Sequence, residues 1–355
     1  MNAITSQDSI VYFNTDCYNA LNTHLITTNY SKIVVITDTN TYTHCYPVFI
    51  KQLQTNLDIE VIQIEAGEVH KNIETCTGVW NALSELNIDR KCLIINLGGG
   101  VVTDLGGFVA STYKRGVNYI NIPTSLLAMV DASVGGKTGV DLGNLKNQIG
   151  VINTSEMVLI DTIFLNTLPQ EELRSGLAEM LKHGLIQDET YWHKMTRLSE
   201  LTTNDLDGLI YESVIIKNNI VTQDPTEQGI RKALNFGHTL GHAIESYFLE
   251  HPNKTTLLHG EAVAIGMILA CYISTQLTGF DTSNCNNIKA YIQDVFGKID
   301  ILDDDIPHII ELMKYDKKNS HGNINFVLLS TIGQIIIDQK VSNDLINDAF
   351  NYYTN

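Results

Sequence analysis

The hydrophobic pattern of this chain changes character once, near residue 165, and that change limits the folds open to it. Before it, short apolar runs alternate with stretches of helical spacing: KIVVITD (32–38), IEVIQIEAGE (59–68), CLIINLGGG (92–100), VNYINIP (117–123) and MVLID (157–161). Runs of this length read as buried strands, and intervening segments such as 74–86 as helices. Alternating strands and helices build a doubly wound, mostly parallel, Rossmann-like sheet. After the change, apolar residues recur every three or four positions in PQEELRSGLAEMLKHGLI, LDGLIYESVIIKNNIVTQ, ALNFGHTLGHAIESYFLE and GEAVAIGMILACYISTQL, the spacing of amphipathic helices. Near the end, INFVLL and QIIIDQKV flank STIGQ and predict a small hairpin. The expectation is an α/β domain over 1–164 and a mostly α-helical domain over 165–355, with ligands in the cleft between them.

With 355 residues, 44% hydrophobic and 18% charged, the chain is long enough for two cores. Its formal net charge of −17 argues against nucleic-acid or membrane-surface partners, so an anionic substrate needs a local basic pocket. The six cysteines form no C-x-x-C and no zinc-ribbon spacing, which points to reduced thiols in a cytoplasmic protein. MNAITSQDSI lacks the plan of a signal peptide, and the longest apolar run, AVAIGMILACYI (262–273), is too short to span a bilayer.

The stretch NLGGGVVTDLGGF (96–108) departs from G-x-G-x-x-G at Thr103. Glycines at a strand-to-helix junction still let backbone amides approach a pyrophosphate at a helix N-terminus, although a tight turn without ligand reads the same. TDTN (37–40) and GEVHK (67–71) end two other strands on the edge where a dinucleotide would lie. DASVGGKTG (131–139) carries Asp131 where a P-loop needs glycine. Lys137 remains available to a phosphate as a point charge, and LKNQ adds Lys146 and Asn147; a solvated basic loop is the plain alternative.

A catalytic zinc takes three protein ligands and keeps one position open. The candidates are Glu179, His183, His238, His242, His251 and His259. His238 and His242 lie four apart in GHTLGH and share a helix face, but Thr239 stands where the metalloprotease pattern needs glutamate. A histidine on an apolar helix is more often a hydrogen-bonded core residue, and Glu179 with Lys182 reads equally as a surface i,i+3 pair. Arg115, Lys137, Lys146, Lys182, Lys217, Arg231, Lys317 and Lys318 sit at glycine turns or in these motifs. In a chain with 23 Lys and Arg they suggest an anion pocket, with scattered surface charge as the alternative.

Taken in order, GGGVVTDLGGFVASTYKRG, IPTSLLAMVDASVGGKTGVD, LKNQIG, TLPQEELRSGLAEMLKHGLI, RKALNFGHTLGHAIE, LHGEAVAIGM and DKKN resemble the 3-dehydroquinate synthase family, one of the sugar phosphate cyclases, over roughly residues 30–340. The resemblance implies a dehydroquinate synthase-like fold and a cytoplasmic, homodimeric lyase of the shikimate pathway. It implies NAD and a divalent metal, zinc or alternatively cobalt, acting on a phosphorylated sugar acid. It assigns the metal to Glu179, His238 and His259. The NAD contacts it implies are Asp38, Asn40, Glu68, Lys71, Gly99, Gly100, Val101, Asp104, Thr124, Ser125, Lys137 and Lys146. The substrate side falls to Asp131, Lys137, Asn147, Lys182, Lys217, Glu227, Arg231, Asn235 and His242, with Lys317 or Lys318 closing it and Arg115 reaching a neighbouring subunit.

Two departures stand out. GVDLGNLKNQ replaces the more usual VNHPLGKNM, which makes Asp141, Leu142 and Leu145 unusual. The segment with EHPNKTT, between His242 and His259, is a few residues longer than in many relatives and is expected to bulge outward. Three alternatives frame the reading. A sister cyclase, making a valiolone or inosose, tends to change the positions of Lys217, Asn235 and His242, all kept here. A glycerol-dehydrogenase-type oxidoreductase needs no phosphate pocket of the kind Lys137, Asn147 and Arg115 suggest. A degenerate binding protein need not keep every chemically required residue.

Overall fold

In the computed structural model, which describes residues 1–355 except 144, 198–202 and 314–323, the chain divides into two units, Met1–Pro169 and Gln170–Asn355. The first contains β1 (Ile4–Ser6), β2 (Ser9–Phe13), α1 (Thr15–Thr27), β3 (Ile33–Asp38), α2 (Thr39–His44), α3 (Tyr46–Phe49), β4 (Ile59–Ile64), α4 (Ile73–Glu85), β5 (Leu93–Gly98), α5 (Gly100–Thr112), β6 (Asn118–Pro123), β7 (Lys137–Leu142), β8 (Leu145–Ile152) and β9 (Met157–Ile160). All five apolar runs read from the sequence are strands; β3, β5, β6 and β9 bury nearly every residue, as central parallel strands do, whereas β4, on the edge, is only partly buried.

Seven strands form one sheet in the order β1-β2-β9-β6-β5-β3-β4, parallel at every pairing except β1 with β2. The chain runs β3 to β4 in one direction and then crosses back to β5 on the other side of β3. That reversal makes a topological switch point at the carboxyl ends of β3 and β5, where such sheets bind ligands. One apolar core joins Val34, Ile36 and Ile94 of the sheet to Cys76, Val79 and Leu83 of α4 and Val102, Leu105 and Val109 of α5. Helix α5 approaches β5 so closely that a Cβ on Gly106 would lie 2.0 Å from Asn96 Oδ1, so only glycine fits there. The hairpins β1–β2 and β7–β8 have no counterpart in the sequence reading.

The second unit contains α6 (Gln170–Gln187), α7 (Glu189–Met195), α8 (Thr203–Gln223), α9 (His238–Glu250), α10 (His259–Leu277), α11 (Thr282–Phe296), α12 (Ile306–Leu312), β10 (Asn325–Thr331), β11 (Gln334–Lys340) and α13 (Asn343–Thr354). Strands β10 and β11 make the expected hairpin, with Gly333 at φ 84° in its turn. Helix α10 is central and touches α6, α9, α11, α13 and β10. By length and composition it could cross a membrane, with a mean hydropathy of 1.4, although the apolar run alone looked too short. Yet 72% of that stretch is buried, which accounts for the apolarity as core packing.

Helices α9 and α10 run antiparallel in close contact, Gly237 against Met267 and Gly241 against Val263. A Cβ on Gly266 would sit 2.0 Å from the Gly237 carbonyl oxygen, so this crossing also requires glycine. The 251–258 segment is a loop, as expected, with half of its residues exposed, but Lys254 is folded back onto Asp305 and over the Phe248 ring. All six cysteines are buried free thiols.

Candidate active site

In the first unit, the candidate cofactor residues follow the carboxyl ends of four adjacent parallel strands. Asp38 ends β3 and caps α2, accepting from the Thr41 amide at 2.7 Å, with Asn40 in the first turn of that helix. Glu68 and Lys71 lie just after β4. Gly99 is the N-cap of α5, which begins Gly100–Val101 and carries Asp104 one turn on. Thr124 and Ser125 follow β6, where the Thr124 amide donates to the Gly98 carbonyl at 3.0 Å. The free amides at the start of α5 therefore face the switch point, the arrangement that holds a pyrophosphate.

A buried ionic network ties these ends to the β7–β8 hairpin. Lys71 Nζ donates to Asp104 Oδ2 and to Asn147 Oδ1, each at 2.7 Å. Lys146 Nζ lies 3.0 Å from Glu68 Oε1 and 3.4 Å from Asp141 Oδ2. Burial alone would lower the Lys71 ammonium, but the Asp104 and Glu68 carboxylates outweigh it and raise it. Asp104 and Asp141 are both raised, by burial first and by neighbouring carboxylates, against the lowering effect of Lys71 and, for Asp141, of Lys146. Asp131 lies in the turn Ala128–Ala132, and Lys137 opens β7. Arg115 is exposed, after the end of α5.

In the second unit, α6 buries Glu179, Lys182 and His183, so the Glu179–Lys182 pair is an interior ion pair and not a surface one. Glu179 Oε1 lies 3.3 Å from His238 Nε2 and 3.7 Å from His259 Nε2, and has no hydrogen-bond partner among the described residues. The ligand nitrogens of His238, His242 and His259 also lie within 4.8 Å of one another. Two overlapping sets of three ligands are thus assembled from α6, α9 and the start of α10. Ligands about 2.1 Å from a tetrahedral zinc lie roughly 3.4 Å apart, and the Glu179 distances match that edge.

The other ring nitrogen of His238 fixes its tautomer. His238 Nδ1 lies 3.1 Å from the Phe236 carbonyl oxygen, which accepts only from a protonated Nδ1 and leaves Nε2 as the ligand. His259 Nδ1 lies 3.0 Å from Glu245 Oε2. Burial alone would lower the His259 imidazole, but Glu245 and then Glu179 raise it to about 10. Burial alone would raise the Glu179 carboxyl, and Lys182 and His238 hold it well below the ordinary carboxylate range.

Of the remaining histidines, His183 bonds to Ser213 at 2.8 Å, and His251 packs on Tyr247 at the far end of α9. Lys217 is buried on α8. Arg231 and Asn235 occupy the short helix before α9; Asn235 Nδ2 donates to Glu227 Oε1 at 2.8 Å and Arg231 to the Pro225 carbonyl at 2.6 Å. Lys317 and Lys318 lie outside the described residues. Arg115, Asn147 and Glu227 hold left-handed backbone, at φ 69°, 51° and 61°. That costs about 1 kcal/mol or more each, strain of the kind retained at functional sites. Sequence reasoning missed Glu245, although it lies three residues after His242 on the same helix face. It also missed Asp224, whose carboxylate accepts the amides of Gln228, Gly229 and Arg231 at 2.9, 2.7 and 3.0 Å and so shapes the turn carrying Glu227.

A dinucleotide-type sheet followed by a helical unit with a buried Glu/His cluster defines a class of fold. Solved structures of that class resemble the whole chain. One is 2-epi-5-epi-valiolone synthase from Streptomyces hygroscopicus subsp. jinggangensis with NAD+ and Zn2+ bound: TM-score 0.82, 24% identity, covering 100% of this chain and 99% of that one. Another is 2-deoxy-scyllo-inosose synthase complexed with carbaglucose-6-phosphate, NAD+ and Co2+: TM-score 0.82, 22% identity, covering 99% and 100%. At that identity the likeness shows the fold. Sequence places the chain more finely. The 3-dehydroquinate synthase N-terminal model matches residues 61–175, and the corresponding C-terminal model residues 176–319. A 3-dehydroquinate synthase of Parabacteroides distasonis is 40% identical over 340 residues, 95% of this chain and 96% of that one. The chain belongs to the 3-dehydroquinate synthase family.

Proposed function

We propose that the chain converts 3-deoxy-D-arabino-heptulosonate 7-phosphate to 3-dehydroquinate and phosphate, using NAD and a divalent metal, zinc or alternatively cobalt. The observation that carries this, within a chain of this family, is the convergence of Glu179 Oε1 with the Nε2 atoms of His238 and His259. A buried carboxylate oxygen facing two imidazole nitrogens at a tetrahedral-edge distance fits a hard or borderline divalent cation. Between the two sets that share His238 and His259 we favour the one with Glu179, because Glu179 is fully buried and His242 is not.

When bound, NAD would take and return a hydride at a ring hydroxyl, and the metal would act as a Lewis acid on neighbouring hydroxyls. In the first unit, Asp38, Asn40, Glu68, Lys71, Gly99, Gly100, Val101, Asp104, Thr124, Ser125, Lys137 and Lys146 are assigned to NAD. Lys137, Asn147 and Arg115 hold the phosphate that leaves, arginine with two parallel bonds. Arg115, being exposed, does so for a neighbouring copy in a homodimer. In the second unit, Lys217 and Arg231 hold the substrate carboxylate. Asp131, Lys182, Glu227, Asn235 and Lys317 complete the substrate contacts, and His242 handles a proton beside the metal.

The test is substrate choice. The heptulosonate phosphate should be turned over and sedoheptulose 7-phosphate should not. Turnover of sedoheptulose 7-phosphate alone would assign the chain to a sister cyclase. NADH accumulating from a simple polyol without phosphate release would assign it to the polyol dehydrogenases.

A further inference from the structure

The β7–β8 hairpin is irregular at one point. Val140 pairs with Ile149 and Leu142 with Leu145, so the single residue Asp141 stands opposite three, Lys146, Asn147 and Gln148. A bulge of this kind turns side chains away from the regular pleat, and bulges gather next to active sites. Here it turns out Lys146 and Asn147, the two residues assigned above to cofactor and phosphate. Asp141 itself spans the irregularity. Its Oδ1 accepts the Asn147 amide at 2.6 Å, where the backbone has entered the left-handed region at φ 51°. Its Oδ2 faces Lys146 at 3.4 Å, and its own amide donates to the Lys71 carbonyl at 2.9 Å. Lys71 in turn donates to Asn147 Oδ1 at 2.7 Å. Asp141 therefore contacts both presented residues and the lysine that links them to α5.

We propose that Asp141 is a positioning residue that fixes the bulge, so that Lys146 is presented to the cofactor and Asn147 to the substrate phosphate. The proposal rests on the roles given to those two residues above. The hydrogen bond to the Asn147 amide carries most of the effect, because Lys146 keeps Glu68 at 3.0 Å without Asp141.

The experiment compares Asp141→Ala and Asp141→Asn with the unaltered enzyme in three readouts: hydrogen exchange of the Asn147 amide, NAD+ affinity by titration without substrate, and KM against kcat. Asp141→Ala should expose the Asn147 amide to exchange, weaken NAD+ about tenfold or more and raise KM more than it lowers kcat. Asp141→Asn keeps an acceptor oxygen and should restore exchange protection and NAD+ affinity to within roughly threefold. Unchanged exchange and affinity in Asp141→Ala would overturn the proposal. So would equal defects in both variants, or a lower melting temperature with NAD+ affinity intact. If the unaltered chain bound no NAD+, the cofactor assignment would fail, while amide exchange would still decide whether Asp141 holds the bulge.

Discussion

Replacing Glu179 with leucine should have two separable effects, because its two oxygens face different partners. Oε1 faces His238 and His259, and Oε2 pairs with Lys182, whose side chain is 1% exposed. Losing Oε1 removes a metal ligand. Losing Oε2 leaves a buried ammonium without its carboxylate, which costs about 3–5 kcal/mol. For a unit of this size that is a fall in melting temperature of roughly 6–20 °C. The melts are run after chelator treatment, so that metal loss does not contribute. Adding Lys182→Met should recover most of the stability, since an apolar pair tolerates burial better than a broken ion pair. It should recover neither metal nor turnover. Near-stoichiometric metal in Glu179→Leu, or a double variant no more stable than the single one, would refute this division of the carboxylate.

Glu245→Gln should weaken metal binding by about 10–100-fold, because the His259 ring loses the carboxylate that orients it; an unchanged affinity in competition with a chromophoric chelator would contradict this. His242→Ala should slow turnover while most metal stays bound, and metal loss equal to that of His238→Ala would place both histidines on the ion. The Asp305 carboxyl is held below its ordinary value of 3.8: burial raises it, but bonds from Lys254, Tyr247 and the Leu302 amide outweigh that. A depressed carboxyl stabilises the fold above its unfolded value and loses that contribution as pH falls through the folded one. The melting-temperature gap between the unaltered chain and Asp305→Asn should thus be full near pH 6 and shrink below pH 3.8; a constant gap would contradict the linkage.

The architecture was legible because period and composition change together near residue 165, and long aliphatic runs leave few alternatives to buried strands. The short hairpins were not, since β1 has three residues and β7 is interrupted by glycine, so neither gives a clear alternation. In the site, GHTLGH announced a shared helix face, and the structure brings both histidines to one cluster. Glu179 was ambiguous because i,i+3 spacing with Lys182 looks the same on a surface as inside, and only burial separates the two. Glu245 escaped because a lone glutamate on an amphipathic helix carries no signal until His259 arrives from another helix. Asp141 was visible only as an unusual residue; its work depends on a bulge that periodicity does not reveal.

The central claim is tested most directly by following phosphate release from 3-deoxy-D-arabino-heptulosonate 7-phosphate together with absorbance at the NADH band, with and without chelator. Phosphate and dehydroquinate should appear in equal amounts, with release abolished by chelator and restored by zinc or cobalt, and with no net NADH. Release that persists in the metal-free protein, or NADH accumulating with product, would contradict it.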